Sequence, residues 1–152
     1  MFDLDRVRAS WQREAAAIDA IVDRLDEHTA KAALRDDGWS AQDLVAHIAT
    51  AARGFVAYID GRRSGAVDVH AFNGEQREQH RHRPWAEVQQ YWRRTRDETA
   101  AYLAHLDAGV AERPTQLPWV PAVSNAGEAL RILIIHTRGH REELSHVDRR
   151  TS

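Results

Sequence analysis

Apolar residues recur at helical spacing in four separate segments of this chain, and no segment carries a convincing strand pattern. In the first segment, Leu4, Val7, Trp11, Ile18, Val22 and Leu25 fall at steps of three, four or seven and share one helix face. That helix is expected to end before Asp36-Asp37-Gly38, a turn signal. The second segment opens on Ser40-Ala41-Gln42-Asp43, a capping-box pattern, followed by a stripe of Leu44, Ile48, Ala51, Phe55 and Ile59. Gly61 stands where a helix-stopping glycine belongs. The third starts at Pro84, and Trp85, Val88, Trp92, Thr95, Thr99, Tyr102 and Leu106 repeat at heptad positions before Asp107-Ala108-Gly109. The fourth starts near Asn125 or Ala126, with Leu130, Leu133, Thr137, His140, Leu144 and Val147 on one stripe. Ile132, Ile134 and Ile135 widen that stripe, so its first half is expected to be buried on more than one side.

Two connections are long. Residues 61–83 hold Gly61, Gly65 and Gly74 with much charge, and read as a long connection with a short helix near residues 74–82. Pro114, Pro118 and Pro121 exclude a continuous helix between Arg113 and Asn125. Long connections are unusual in a compact domain unless they have a job. The expectation is an all-α fold: a four-helix bundle with long crossover connections, one domain over residues 1–152.

Composition narrows the function. The chain has no cysteine, which excludes disulfides, thiolate ligands and a cysteine nucleophile; any thiol chemistry needs a small molecule to bring the sulfur. A net charge of −2 gives no electrostatic case for nucleic acid. No apolar run approaches the roughly 20 residues that cross a membrane. The acidic start Met1-Phe2-Asp3-Leu4-Asp5 lacks a signal-peptide core, so a cytoplasmic protein is expected. Lys31 is the only lysine among many arginines and alanines, a composition of GC-rich coding.

Nine histidines are many for this length. His136 and His140, spaced i, i+4, project from one face of the fourth helix. His140 lies on the buried stripe and His136 beside it. His47, three after Leu44 and four before Ala51, also faces inward. Buried imidazoles need partners for their nitrogens. Taken singly, each could be a core histidine bonded to a carbonyl. Together, three inward rings from two helices can occupy one face of a metal's coordination sphere and leave the rest open, as catalytic sites do. Three imidazoles suit zinc, nickel or iron. His80 and His82 lie in a polar cluster expected to be solvated, His28 and His146 near helix ends, His105 off the stripe, and His70 in the long connection near the mouth.

Gly38-Trp39-Ser40-Ala41-Gln42-Asp43-Leu44-Val45-Ala46-His47-Ile48-Ala49 resembles the GW-S/T-x-x-D-hydrophobic-x-x-H-hydrophobic segment of the DinB/YfiT-like metalloprotein superfamily. His136-Thr137-Arg138-Gly139-His140 resembles that group's H-x-x-x-H motif, and Phe72-Asn73-Gly74 with residues 87–106 resembles the middle of such domains. The resemblance implies a four-helix bundle holding a divalent metal, zinc foremost, on His47, His136 and His140. It also implies a homodimer. The group includes thiol-dependent transferases and isomerases, among them the N-terminal domain of mycothiol-dependent maleylpyruvate isomerase. Two departures are expected from that isomerase: no C-terminal domain after the last helix, and histidine at position 136 where the enzyme uses a glutamate ligand.

The function expected first is a thiol-dependent S-transferase or isomerase, with mycothiol as the thiol and a small electrophile as substrate. The alternatives are a hydrolase using metal-bound water, and a non-catalytic small-molecule binding or sequestering protein. No G-x-S-x-G elbow is present, and Thr137 stands where an H-E-x-x-H glutamate would be. Trp119, Asn73 and Arg53 are the candidate substrate contacts, with Trp119 over the mouth between Pro118 and Val120-Pro121. Arg62, Arg63 and Arg77 are further cations that could meet acidic groups. Trp39 could join Trp119 at an apolar pocket; Trp85 and Trp92 fit the core better.

Overall fold

A computed structural model describes residues 1–148. Among the described residues six α-helices form: α1 (Leu4–Arg24), α2 (Glu27–Lys31), α3 (Ala41–Ile59), α4 (Val69–Arg81), α5 (Trp85–His105) and α6 (Ala126–Leu144), with a 3-10 turn over Ala108–Glu112. The expected all-α bundle is therefore present, and α1, α3, α5 and α6 build it.

Side-chain oxygens start most of these helices. Asp3, Asp26, Ser40, Asp68 and Asn125 each accept a hydrogen bond from a first-turn N–H, satisfying a donor that has no intrahelical partner. At Ser40 the capping box is complete: the Asp43 N–H donates to the Ser40 hydroxyl, and the Ser40 N–H donates to the Asp43 carboxylate, both at 3.0 Å. Pro84 precedes α5 as its cap rather than forming its first residue. At the other end of α3, Gly61 adopts φ 76°, the left-handed conformation that favours glycine.

The bundle is not an up-down hairpin array. α1 packs on α5 and α6, and α3 packs on the same two, so α1 and α3 sit diagonally. Contacts fix the directions. Trp11 reaches Arg96 while Gln89 reaches Val22, so α1 and α5 run antiparallel. Thr50 meets Tyr91 and Arg53 meets Thr95, so α3 and α5 run parallel. Parallel neighbours need a return path, and the 60–84 connection with α4 supplies it. The expected crossover thus has a physical origin in helix direction.

Three differences from the sequence expectation have plain causes. The first helix ends at Arg24, and the short α2 precedes the Asp36-Asp37-Gly38 turn. α4 begins at Val69, earlier than the helix expected near residues 74–82, and runs through Gly74. Its inner face mixes half-buried Val69 and Phe72 with half-buried Asn73, Gln76 and Arg77 and buried His80, so no continuous apolar stripe marks it. Ile134 is buried and Ile132 half-buried, but Ile135 is 60% exposed, so α6 buries a narrower band than three isoleucines imply.

The core is aromatic and fully packed on the α1–α5 side. Trp11 and Trp92 lie 6.2 Å apart, and both are essentially buried. The Trp92 indole donates to Asp19 at 2.8 Å, which gives its polar atom a partner. Glu14 on α1 is also buried. It accepts from Arg138 at 2.9 Å and Arg141 at 2.7 Å on α6, pinning those helices together. Burial alone raises the Glu14 pKa, but the two guanidiniums outweigh it and hold the carboxyl below its ordinary range.

Candidate metal centre

α3 and α6 lie side by side, and His47 on one faces His136 and His140 on the other. One nitrogen from each ring falls within 4.8 Å of the other two. The His47 and His136 Nε2 atoms are 3.3 Å apart. An ion held about 2.05 Å from two nitrogens at a tetrahedral angle separates them by about 3.3 Å. Ring centroids lie 4.5 to 5.1 Å apart across the three pairs. The rings converge; they do not point apart.

Their electrostatics suit ligands. Burial, then the neighbouring His140 and Arg35, pushes the His47 pKa down to about 4. Burial, then His140 and His47, pushes His136 down to about 3. His140 is lowered by burial as well, with Glu143 opposing. At neutral pH all three rings are uncharged, the state that binds metal without first losing a proton.

One ring is oriented from behind. The His140 Nδ1–H donates to Glu143 at 3.1 Å, which leaves its Nε2 as the ligand atom. The second Glu143 oxygen accepts from Arg35 at 3.2 Å, and Arg35 also donates to Asp37 at 2.5 Å. The Trp39 ring stands edge-on to His47 at 5.6 Å, with the Arg35 and Arg77 guanidiniums over it at 5.1 and 5.3 Å. Glu143 was not among the expected site residues. It follows His140 by three positions, so helical spacing was the signal that could have marked it.

The model of the DinB superfamily matches residues 8–144. This chain belongs to the DinB superfamily. No curated protein matches its sequence closely enough to count as a relative. Two solved structures resemble it. A variant of mycothiol-dependent maleylpyruvate isomerase aligns at TM-score 0.80 with 11% identity, over 93% of this chain and 60% of that one. YfiT from Bacillus subtilis, described as a probable metal-dependent hydrolase with an unusual four-helix bundle topology, aligns at TM-score 0.74 with 15% identity, over 97% and 87%. At these identities the likeness establishes the fold. The chain spans 60% of the isomerase structure's length.

In this DinB-superfamily bundle the centre opens sideways. His47 and His136 line a cleft with an empty volume of about 500 Å³, part of it open to solvent. Thr50, Ala51, Gly54, Phe55 and Tyr58 of α3 form one wall, and Arg63 and Val67 of the preceding connection with Val69, Phe72 and Asn73 of α4 form the other. Trp119 closes one side, edge-on to Phe55 at 5.3 Å and to Tyr58 at 5.2 Å. The cleft surface is mainly apolar, with Asn73, Thr50, Arg63 and the histidines as its polar groups.

Of the expected substrate contacts, Trp119 and Asn73 line this cleft. Arg53 does not. It donates to Thr95 at 2.7 Å, pairs with Glu98 at 3.1 Å and lies over Tyr91, so it faces α5. Arg77 pairs with Asp43, and Arg62 with Asp60. Trp85 and Trp92 are core residues, and Trp39 lines a smaller hollow on the other side of His47. His70 is exposed in the first turn of α4 and is not among the cleft residues. His80, expected to be solvated, is 5% exposed and stacks on Tyr91 at 5.0 Å. The last turn of α4 folds it inward, where the Gln42 amide donates to its carbonyl. Arg63, expected with Arg62 and Arg77 as a cation that could meet acidic groups, does line the cleft, while Val67, Val69 and Phe72 reach it only through tertiary folding, with no local pattern to mark them for this role.

Proposed function

We propose that this protein is a metal-dependent enzyme that joins a low-molecular-weight thiol to a small electrophile, as an S-transferase or isomerase. The metal ligands in this reading are His47, His136 and His140. A divalent ion on those three nitrogens, zinc foremost, would lower the pKa of a thiol and hold its sulfur in the cleft. The protein's share is then positional. The apolar walls exclude water around the sulfur, and Asn73 and Thr50 offer polar contacts.

The observation that carries this reading is the composition of the cleft. Among the described residues lining it, none is a carboxylate. An ion on three imidazoles would acidify bound water as well as a thiol, but hydrolysis must also deliver a proton to the leaving group, and the nearby Glu143 is already occupied by His140 and Arg35. A thiolate adding to an electrophile expels no group that needs such a proton. Mycothiol is the thiol proposed, in line with the arginine- and alanine-rich composition.

Cobalt substitution tests this. In the cobalt-loaded protein, adding mycothiol is expected to produce a near-ultraviolet sulfur-to-cobalt absorption band, which His47→Ala removes. Absence of the band with mycothiol, bacillithiol and glutathione alike, in protein shown to hold cobalt, contradicts the thiol reading.

A further inference from the structure

Inside α3, Gly54 is an odd choice. Glycine weakens a helix interior, because it has more backbone freedom to lose than any other residue. Here nothing demands it for backbone geometry, since only Gly38, Gly61 and Gly65 take positive φ among the described residues. Nor does a close neighbour demand it, since a Cβ built at Gly54 meets no atom within 4 Å. What lies beside Gly54 is the cleft. The missing side chain leaves room there.

The space it opens has a definite chemistry. Phe55, Tyr58, Trp119 and Phe72 present aromatic surface, and Val67 and Val69 add branched apolar surface. One cation joins them. Arg63 is exposed, which places it toward the solvent end, while the half-buried His47 and His136 lie at the inner end. Its guanidinium carbon sits over the Phe72 ring at 5.2 Å, which orients the fork beside the aromatic wall.

We infer that the cleft binds a small aromatic carboxylate, with its ring over Gly54 between the aromatic walls and its anionic group at Arg63, and that Gly54 sets the size admitted. This deepens the proposed function by naming the class of its electrophile, and it rests on that proposal only for the chemistry after binding. Recognition itself uses neither thiol nor turnover.

The test is titration calorimetry of the metal-loaded protein with two unreactive probes, 3-phenylpropionate and the uncharged 3-phenylpropanol. In the wild type the acid is expected to bind roughly fivefold more tightly than the alcohol, the scale of one partly exposed ion pair. Arg63→Met is expected to erase that preference while keeping the alcohol's affinity. Gly54→Leu is expected to weaken both probes by at least about tenfold, because it fills their space. Its melting temperature should match or exceed the wild type's, which separates blocked binding from misfolding. Equal binding of acid and alcohol overturns the inference. So does an acid preference that survives Arg63→Met, which would place the carboxylate on the metal instead. Unchanged affinity in Gly54→Leu, or no binding of either probe, overturns it as well. A missing sulfur-to-cobalt band beside the expected calorimetry would sink the thiol reading and leave this one standing.

Discussion

The α1–α5 seam and the α3–α6 seam are built from similar amphipathic helices and do opposite things with them. Between α1 and α5, Trp11 and Trp92 interlock, and both indole N–H groups have acceptors, though the Trp11 bond is long at 3.4 Å. Nothing there is left over for a ligand. Between α3 and α6, three imidazoles with depressed pKa values meet at one point, and a glycine holds a cleft open beside them. One seam uses its burial for packing. The other gives up packing and solvation to keep basic nitrogens uncharged and accessible, the arrangement expected where stability yields to function.

Substitution in each seam should separate these roles. Trp92→Ala is expected to have the largest effect, about 3–5 kcal/mol of lost stability by chemical denaturation, because it leaves a cavity the size of an indole. Metal content of its folded fraction should stay at the wild-type level. A comparable loss of metal with little loss of stability would erase the distinction between the seams.

Acid should strike the other seam. In the metal-free protein the folded His47 and His136 titrate near 4 and 3, below the ordinary 6.5 of an unfolded chain. As pH falls below 6.5 the unfolded chain takes up protons first, so stability drops with pH across that window. A loss of about 2 kcal/mol between pH 6.5 and 4.5 is expected, because a tenfold difference in proton affinity between folded and unfolded chain is worth roughly 1.4 kcal/mol and local relaxation takes back part of the sum. His136→Leu should flatten this slope; an unchanged slope would show that the rings are not the source. The smallest effect belongs behind the ligands. Glu143→Ala frees His140 to rotate and is expected to weaken zinc binding about tenfold, measured by competition with a chelator. Unaltered affinity would make the His140–Glu143 bond incidental.

The two seams also differ in how far the sequence exposed them. Heptad-spaced Trp85, Val88 and Trp92 mark a packed face, because apolar periodicity is the physics of burial itself. His47, His136 and His140 were legible for a related reason: each sits in phase with its helix's apolar stripe, so it must point inward. α4 was legible only in its second half, as the short helix expected near residues 74–82, because Val69 and Phe72 share its inner face with polar residues and its Asp68 cap lay inside a stretch that composition describes as a loop. His80 escaped for the same reason. Ile135 misled, since an apolar residue need not be buried when its helix face looks outward. The cleft was least legible. Arg63, Val67 and Phe72 come together only after the chain crosses back over α3, and no local spacing encodes that return.

The central claim is that His47, His136 and His140 together hold one metal ion. Elemental analysis of the purified protein beside His47→Ala and His140→Ala tests it most directly. The expected result is one equivalent of a divalent metal in the wild type and a small fraction of that in each folded variant. Wild-type metal content in either variant would contradict it.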